Sequence, residues 1–158
     1  MIKTGSSILL ADFAEIVNST ISRLEKDGRI KTPLHKEVLK FESTAFIFWF
    51  FRWNDVFSEP IQRLTLDEVH QQYFSTLKRN GYNREHVRAV CDDFNQRYKT
   101  YDEFVGNAND FGKVGTHFAR FVSDRAKTEL DATETMIPLE LIEKVTLKFK
   151  EILEVMKT

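Results

Sequence analysis

Glu42, Arg52 and Arg97 are charged residues that helical spacing sets on or beside apolar stripes. A charge in such a place must be paired or must change its protonation state. Two chemistries follow. In one, Glu42 forms an internal ion pair, with Arg97 as a candidate partner, and the pair fixes how two helices register. In the other, Trp49, Trp53, Tyr98 and Tyr101 line a small-molecule pocket in which Glu42 and Arg97 are the orienting polar groups. His70 joins this set of pocket candidates: it shares a helix side with Val69, Tyr73 and Leu77, where a core histidine with one hydrogen-bond partner is the plainer expectation.

Metal chemistry has little support. The histidines are His35, His70, His86 and His117, and none stands at a one-face helical spacing from another or from Cys91. Asp67, Glu68 and His70 are the nearest metal-like grouping, and no Glu-x-x-His of the kind that builds a di-iron bundle occurs. The expectation is no metal and no cofactor. Cys91, the single cysteine, falls in an apolar stripe and reads as an inert buried thiol; one cysteine permits no internal disulfide. No Walker-type loop, GxGxxG, HExxH or GxSxG is present. With 23 basic against 24 acidic residues the net charge is −1, which disfavours a general nucleic-acid or anionic-membrane binder.

The locally basic stretch is Lys78 to Arg88. Within it, Arg79-Asn80 followed by His86 resembles the Arg–polar–x4–5–His signature of HEPN-type helical ribonucleases. That resemblance implies His86 in acid–base chemistry and Arg79 on the charge developing at a scissile phosphate. It covers eight residues of the 158. Gly81 departs from the family by breaking the helix between the two residues. The alternative is a solvated helix-to-helix turn.

The elements that position these groups are helices, because apolar residues recur at three- and four-residue spacing and sustained alternation is missing. A first helix is expected from Ser7 to Asp27, with Gly28 as its C-terminal cap. Thr32-Pro33 reads as an N-cap and a first-turn proline opening a second helix that carries the aromatic run to about Phe57, with Pro60 as its stop. Thr65-Leu66-Asp67-Glu68 fits a capping box for a third helix ending near Arg79. Asn83 caps a fourth, ending at Gly106. A fifth begins at Asn109 or Thr116, since Asn107 to Gly115 reads either as loop or as a close-packing glycine segment. A sixth begins at Pro138, with Glu140 and Lys144 spaced as a supporting pair.

The fold class is therefore all-α, an antiparallel bundle of about six helices in one domain over residues 1–158. No secretory signal or membrane span is legible, and a cytoplasmic location fits. The second helix is apolar around its circumference. It is either the core helix surrounded by the other five or one that places Ile47, Phe50 and Phe51 in a homodimer interface. Two functional classes stay open: a non-catalytic module acting through protein contacts, most simply with itself, and a ligand-binding protein or enzyme with its site between helices two, three and four.

Overall fold

Local capping chemistry sets the chain's first corner. Gly28 adopts φ +69°, a left-handed conformation open to glycine, and closes the helix end through Arg29 N–H to Leu24 O (2.9 Å) and Gly28 N–H to Glu25 O (3.1 Å). Four residues later Thr32 Oγ1 accepts the His35 amide at 3.0 Å, and Pro33 occupies the first helical position, as its missing N–H and fixed φ favour. The computed structural model describes residues 5–53, 59–108 and 111–156. In chain order these form α1 (Gly5–Lys26), α2 (Pro33–Trp53), α3 (Glu59–Arg79), α4 (Arg84–Ala108), α5 (Phe111–Ala126), a short 3-10 segment (Ala132–Met136) and α6 (Ile137–Met156). Among the described residues there is no strand, and the architecture is an all-α bundle of six helices.

α2 packs against all five other helices, which is what an apolar circumference demands. Ile47 and Phe51 are fully buried and Phe50 nearly so, within the single chain. Phe51 meets Phe13 of α1 edge-on, with ring centroids 5.9 Å apart. The homodimer expectation for Ile47, Phe50 and Phe51 is corrected accordingly: their apolar area is already covered by this chain's own helices, and they present no surface to a second copy. Aromatic geometry continues through the core, with Phe48 set edge-on to Tyr73 and Phe94. Such pairs contribute about 0.5–1.5 kcal/mol each beyond their buried area.

Several boundaries differ from the sequence reading. α3 begins at Glu59, so Thr65 lies inside a helix rather than capping one, and Pro60 stands in its first turn. A proline in the first turn breaks no intrahelical hydrogen bond, and the residues after it are good helix formers. The expected end of α2 near Phe57, like the start of α5 at Asn109, lies outside the described residues. α4 continues through Gly106 to Ala108. At the other end it starts as expected, with Asn83 Oδ1 accepting the His86 amide at 2.9 Å. Gly115 carries the close-packing reading: a Cβ there would lie 2.3 Å from the Thr135 carbonyl oxygen, so the backbones of α5 and the 3-10 segment approach as only glycine allows. Among the described residues, no helix is long and apolar enough to cross a membrane.

Candidate functional site

Glu42 and Arg97 meet in the core. Arg97 Nε and Nη2 each donate to a different carboxylate oxygen of Glu42 at 2.9 Å, a bidentate fork joining α2 to α4. Burial alone would lower the Arg97 pKa, and the Glu42 hydrogen bonds more than offset it, holding the guanidinium firmly charged. The Arg97 guanidinium also lies 4.0 Å from the Phe121 ring centroid, and Arg125 reaches Glu42 Oε2 at 3.8 Å and Asp93 at 3.1 Å. Arg52 takes no part. It points outward, 47% exposed, beside Asp102 at 3.4 Å and over the Tyr98 ring.

The rest of the sequence-derived pocket set is brought into the same neighbourhood as packed core. Trp49 is fully buried, donates its indole N–H to Asp102 at 2.8 Å and stacks on Trp53, which is half exposed. Tyr101 is wholly buried against Trp49 and Phe46. Its hydroxyl meets no partner among the described residues, and burial first, then the Glu42 charge, keeps the phenol protonated. His70 Nε2 and the Tyr98 hydroxyl are 2.7 Å apart, the single partner expected of a core histidine. These rings and the Glu42–Arg97 fork fill one another's space, so their geometry is that of a structural lock.

A second buried pair, which sequence reasoning missed, has a different character. His35, at the start of α2, and Glu134, in the 3-10 segment, place His35 Nε2 3.1 Å from Glu134 Oε1, and both side chains are more than nine-tenths buried. His35 Nδ1 accepts the Lys31 amide at 3.0 Å, so the ring proton sits on Nε2 and donates to Glu134. Burial, then the Lys31 charge, lowers the His35 pKa and keeps the imidazole neutral. The second oxygen, Glu134 Oε2, is buried with no donor among the described residues. Burial, with Asp131 adding repulsion, pushes the Glu134 carboxyl up to about 7.

This pair forms one wall of a cavity of about 250 Å³ between the C-terminal end of α1, the start of α2 and the 3-10 segment. Leu24, Leu39 and Ile137 supply an apolar wall, and Arg23, Arg29 and Asp131 stand around it. The local sequence explains the placement. Asp131 caps the 3-10 segment by accepting the Thr133 amide at 2.9 Å and its hydroxyl at 2.7 Å, which turns Glu134 inward. Arg23 bridges Glu140 of α6 and Asp27, and Lys144 joins Glu140 at 3.2 Å, so the sixth helix is clamped to the first behind the cavity. One signal in the chain points here: Asp131-x-x-Glu134 has the spacing of a capping box.

The remaining candidates do not converge. Arg79 ends α3 and contacts Thr76 at 3.4 Å, while His86 lies in α4 beside the Tyr82 ring, and no contact joins Arg79 to His86 among the described residues. Cys91 is a free, partly exposed thiol, in contrast to the full burial its apolar stripe implies. Among the described residues, no three His, Cys, Asp or Glu side chains are grouped to hold a metal ion. The chain matches no protein-family model, and comparison with curated proteins and with solved structures returns no significant match.

Proposed function

We infer that the protein binds a small polar molecule in the cavity beside His35 and Glu134. The observation carrying this reading is Glu134 itself: a carboxylate on a cavity wall, with one oxygen held by His35 and the other buried with no donor among the described residues. A buried acceptor without a donor costs about 1–3 kcal/mol, so folding retains it at a disadvantage that an arriving N–H or O–H group removes. Oε2 is closed off from solvent, so a ligand reaches the carboxyl by turning it against its bond to His35. A carboxyl that titrates at about 7 beside a neutral imidazole is also suited to exchanging a proton with what it binds. Binding is the function proposed, and no reaction is assigned.

Ligand-observed NMR with a library of small polar metabolites tests this reading on the wild type and on Met136→Trp. Met136 is 58% exposed at the cavity's edge, so an indole there covers the mouth without entering the core. Compounds that bind the wild type and not the Trp variant support the site. A library whose hits all survive the block contradicts it.

A second reading, contact with another protein, has its own support now that Ile47, Phe50 and Phe51 are internal. Leu139 and Leu147 are 46% and 60% exposed on α6, with exposed Glu143 between them. Contiguous exposed apolar area marks contact surfaces, and these two leucines are the large apolar side chains that α6 leaves exposed among the described residues. Light scattering across a dilution series, repeated with Leu147→Glu, tests it: a concentration-dependent mass that the variant abolishes supports the reading, and a constant 18.6 kDa removes it for self-association.

A further inference from the structure

Positive charge is not spread evenly along this chain. From Lys78 to Arg88, four of eleven residues are Lys or Arg against one acid, Glu85, although the whole chain carries −1. All four cations, Lys78, Arg79, Arg84 and Arg88, are exposed, and among the described residues none forms an ion pair with a carboxylate. In other parts of the bundle cations are spent on acids, as Arg23 is on Asp27 and Glu140, and Arg125 on Asp93. Helix energetics do not account for two of the four either. Arg84 and Arg88 stand one turn apart at the start of α4, where like charges repel and the helix dipole disfavours a cation. Neither charge stabilises the fold.

The turn that carries these charges is fixed by its backbone. Gly81, at φ +96°, lets its own N–H reach Lys78 O and the Tyr82 N–H reach Leu77 O, each at 3.1 Å, the paired bonds that close a helix end. Asn83 Oδ1 then caps α4 through the His86 amide. Tyr82 is thereby held between the two helices, 46% exposed, with its ring beside that of His86. We propose that the tip of the α3–α4 hairpin binds single-stranded nucleic acid, its phosphates on Lys78, Arg79, Arg84 and Arg88 and a base stacked on Tyr82. Cations supply the phosphate contacts, and an open aromatic face accepts any base that is free of a duplex stack. The ring favours this partner over other polyanions. An acidic peptide would use the charges alone, and an anionic bilayer asks for several inserted apolar side chains where the tip exposes one large ring. Binding alone is assigned, since no contact joins Arg79 to His86 among the described residues.

Fluorescence anisotropy with labelled oligo(dT) and oligo(U) of about twelve nucleotides tests the proposal. At about 50 mM salt the expected Kd is on the order of 10 µM, and four phosphate contacts at a slope of about −0.7 each weaken it about 50-fold by about 200 mM. Arg79→Ala should flatten that slope by about 0.7. Arg84→Glu combined with Arg88→Glu should abolish binding and leave the thermal melt no lower than that of the wild type. Tyr82→Ala should weaken binding about fivefold or more with the slope unchanged, and Tyr82→Trp should retain it. The proposal falls if neither oligonucleotide binds at about 50 mM salt, if the charge-reversed variant binds as the wild type does, or if Tyr82→Ala has no effect. Polyglutamate competing as well as oligo(dT) would make the tip a site for acidic protein, and binding to phosphatidylserine vesicles with none to oligonucleotide would make it a membrane contact. Either outcome overturns the nucleic-acid class.

Discussion

Two buried acidic residues tie α2 to its neighbours, and they are built in opposite ways. Glu42 is met on both oxygens by one guanidinium, supported by a second, and closed in by aromatic rings. Glu134, a residue that lines a cavity, is met on one oxygen by a neutral imidazole, and its other oxygen is buried with no donor among the described residues. A saturated pair has no capacity for anything else and works as a lock. A half-saturated one holds binding capacity in reserve and is less stable for it. On this reading the same residue type serves architecture at the middle of α2 and recognition beside its start.

The contrast is most easily broken at the lock. Arg97→Met leaves the Glu42 carboxylate buried with Arg125 at 3.8 Å as its nearest remaining cation, and unfolding by denaturant should show a loss of about 3–5 kcal/mol. Pairing it with Glu42→Met should recover most of that loss, because removing both charges removes the unpaired one. A double variant as unstable as the single would show that the fork contributes more than the repair of its own desolvation.

Next in size is Gly115→Ala. Its new methyl group would sit 2.3 Å from the Thr135 carbonyl, so α5 and the 3-10 segment must separate. Overpacking of this kind costs about 1–3 kcal/mol. Because Glu134 neighbours Thr135, the variant should also lower the Glu134 pKa toward the ordinary carboxyl range, read by NMR. A change in stability without a change in titration would uncouple the packing glycine from the site.

A smaller effect separates the two acids by pH. Glu134 titrates at about 7 in the folded chain against an ordinary value of 4.5, so between these values the folded state holds the extra proton and stability falls as pH rises. His35, with its lowered pKa, works the other way: the unfolded chain takes up its proton first, so acid destabilises. Glu134→Gln isolates the first contribution. The variant should match the wild type near pH 5 to within about 1 kcal/mol and become the more stable of the two near pH 8. Thermal melts across that range decide it, and parallel curves would mean Glu134 titrates normally. Smallest of all, Arg79→Ala and His86→Ala at the exposed α3–α4 turn should each shift stability by less than about 0.5 kcal/mol.

Why one acid is legible in the sequence and the other is not follows from periodicity. Glu42 and Arg97 interrupt long apolar stripes, so each announces burial from its own helix, and residue spacing alone makes them candidate partners. The caps Thr32, Asn83 and Gly28 are legible for a similar reason, since the chemistry that ends a helix lies within a turn of it. Glu134 stands in a five-residue 3-10 segment, too short for a periodic signal, and its partner lies 99 positions away. His35 sits in a first turn where exposure is the ordinary expectation. The apolar circumference of α2 is legible but ambiguous: periodicity says that Ile47, Phe50 and Phe51 must be covered, and it does not say whether by this chain or another. The start of α3 is obscured because a capping-box spacing at Thr65 coincides with residues that continue a helix already begun at Glu59.

The central claim is that Glu134 is held half-satisfied for a ligand, and the most direct test is a carbon-13 NMR titration of its side-chain carboxyl, assigned by its loss in Glu134→Gln. The predicted midpoint is about 7 in the free protein, falling when a small molecule that binds the cavity through an N–H donor is added, because a donor on the carboxyl favours the ionised form. A midpoint near the ordinary 4.5, or one that no molecule binding the cavity moves, would contradict it.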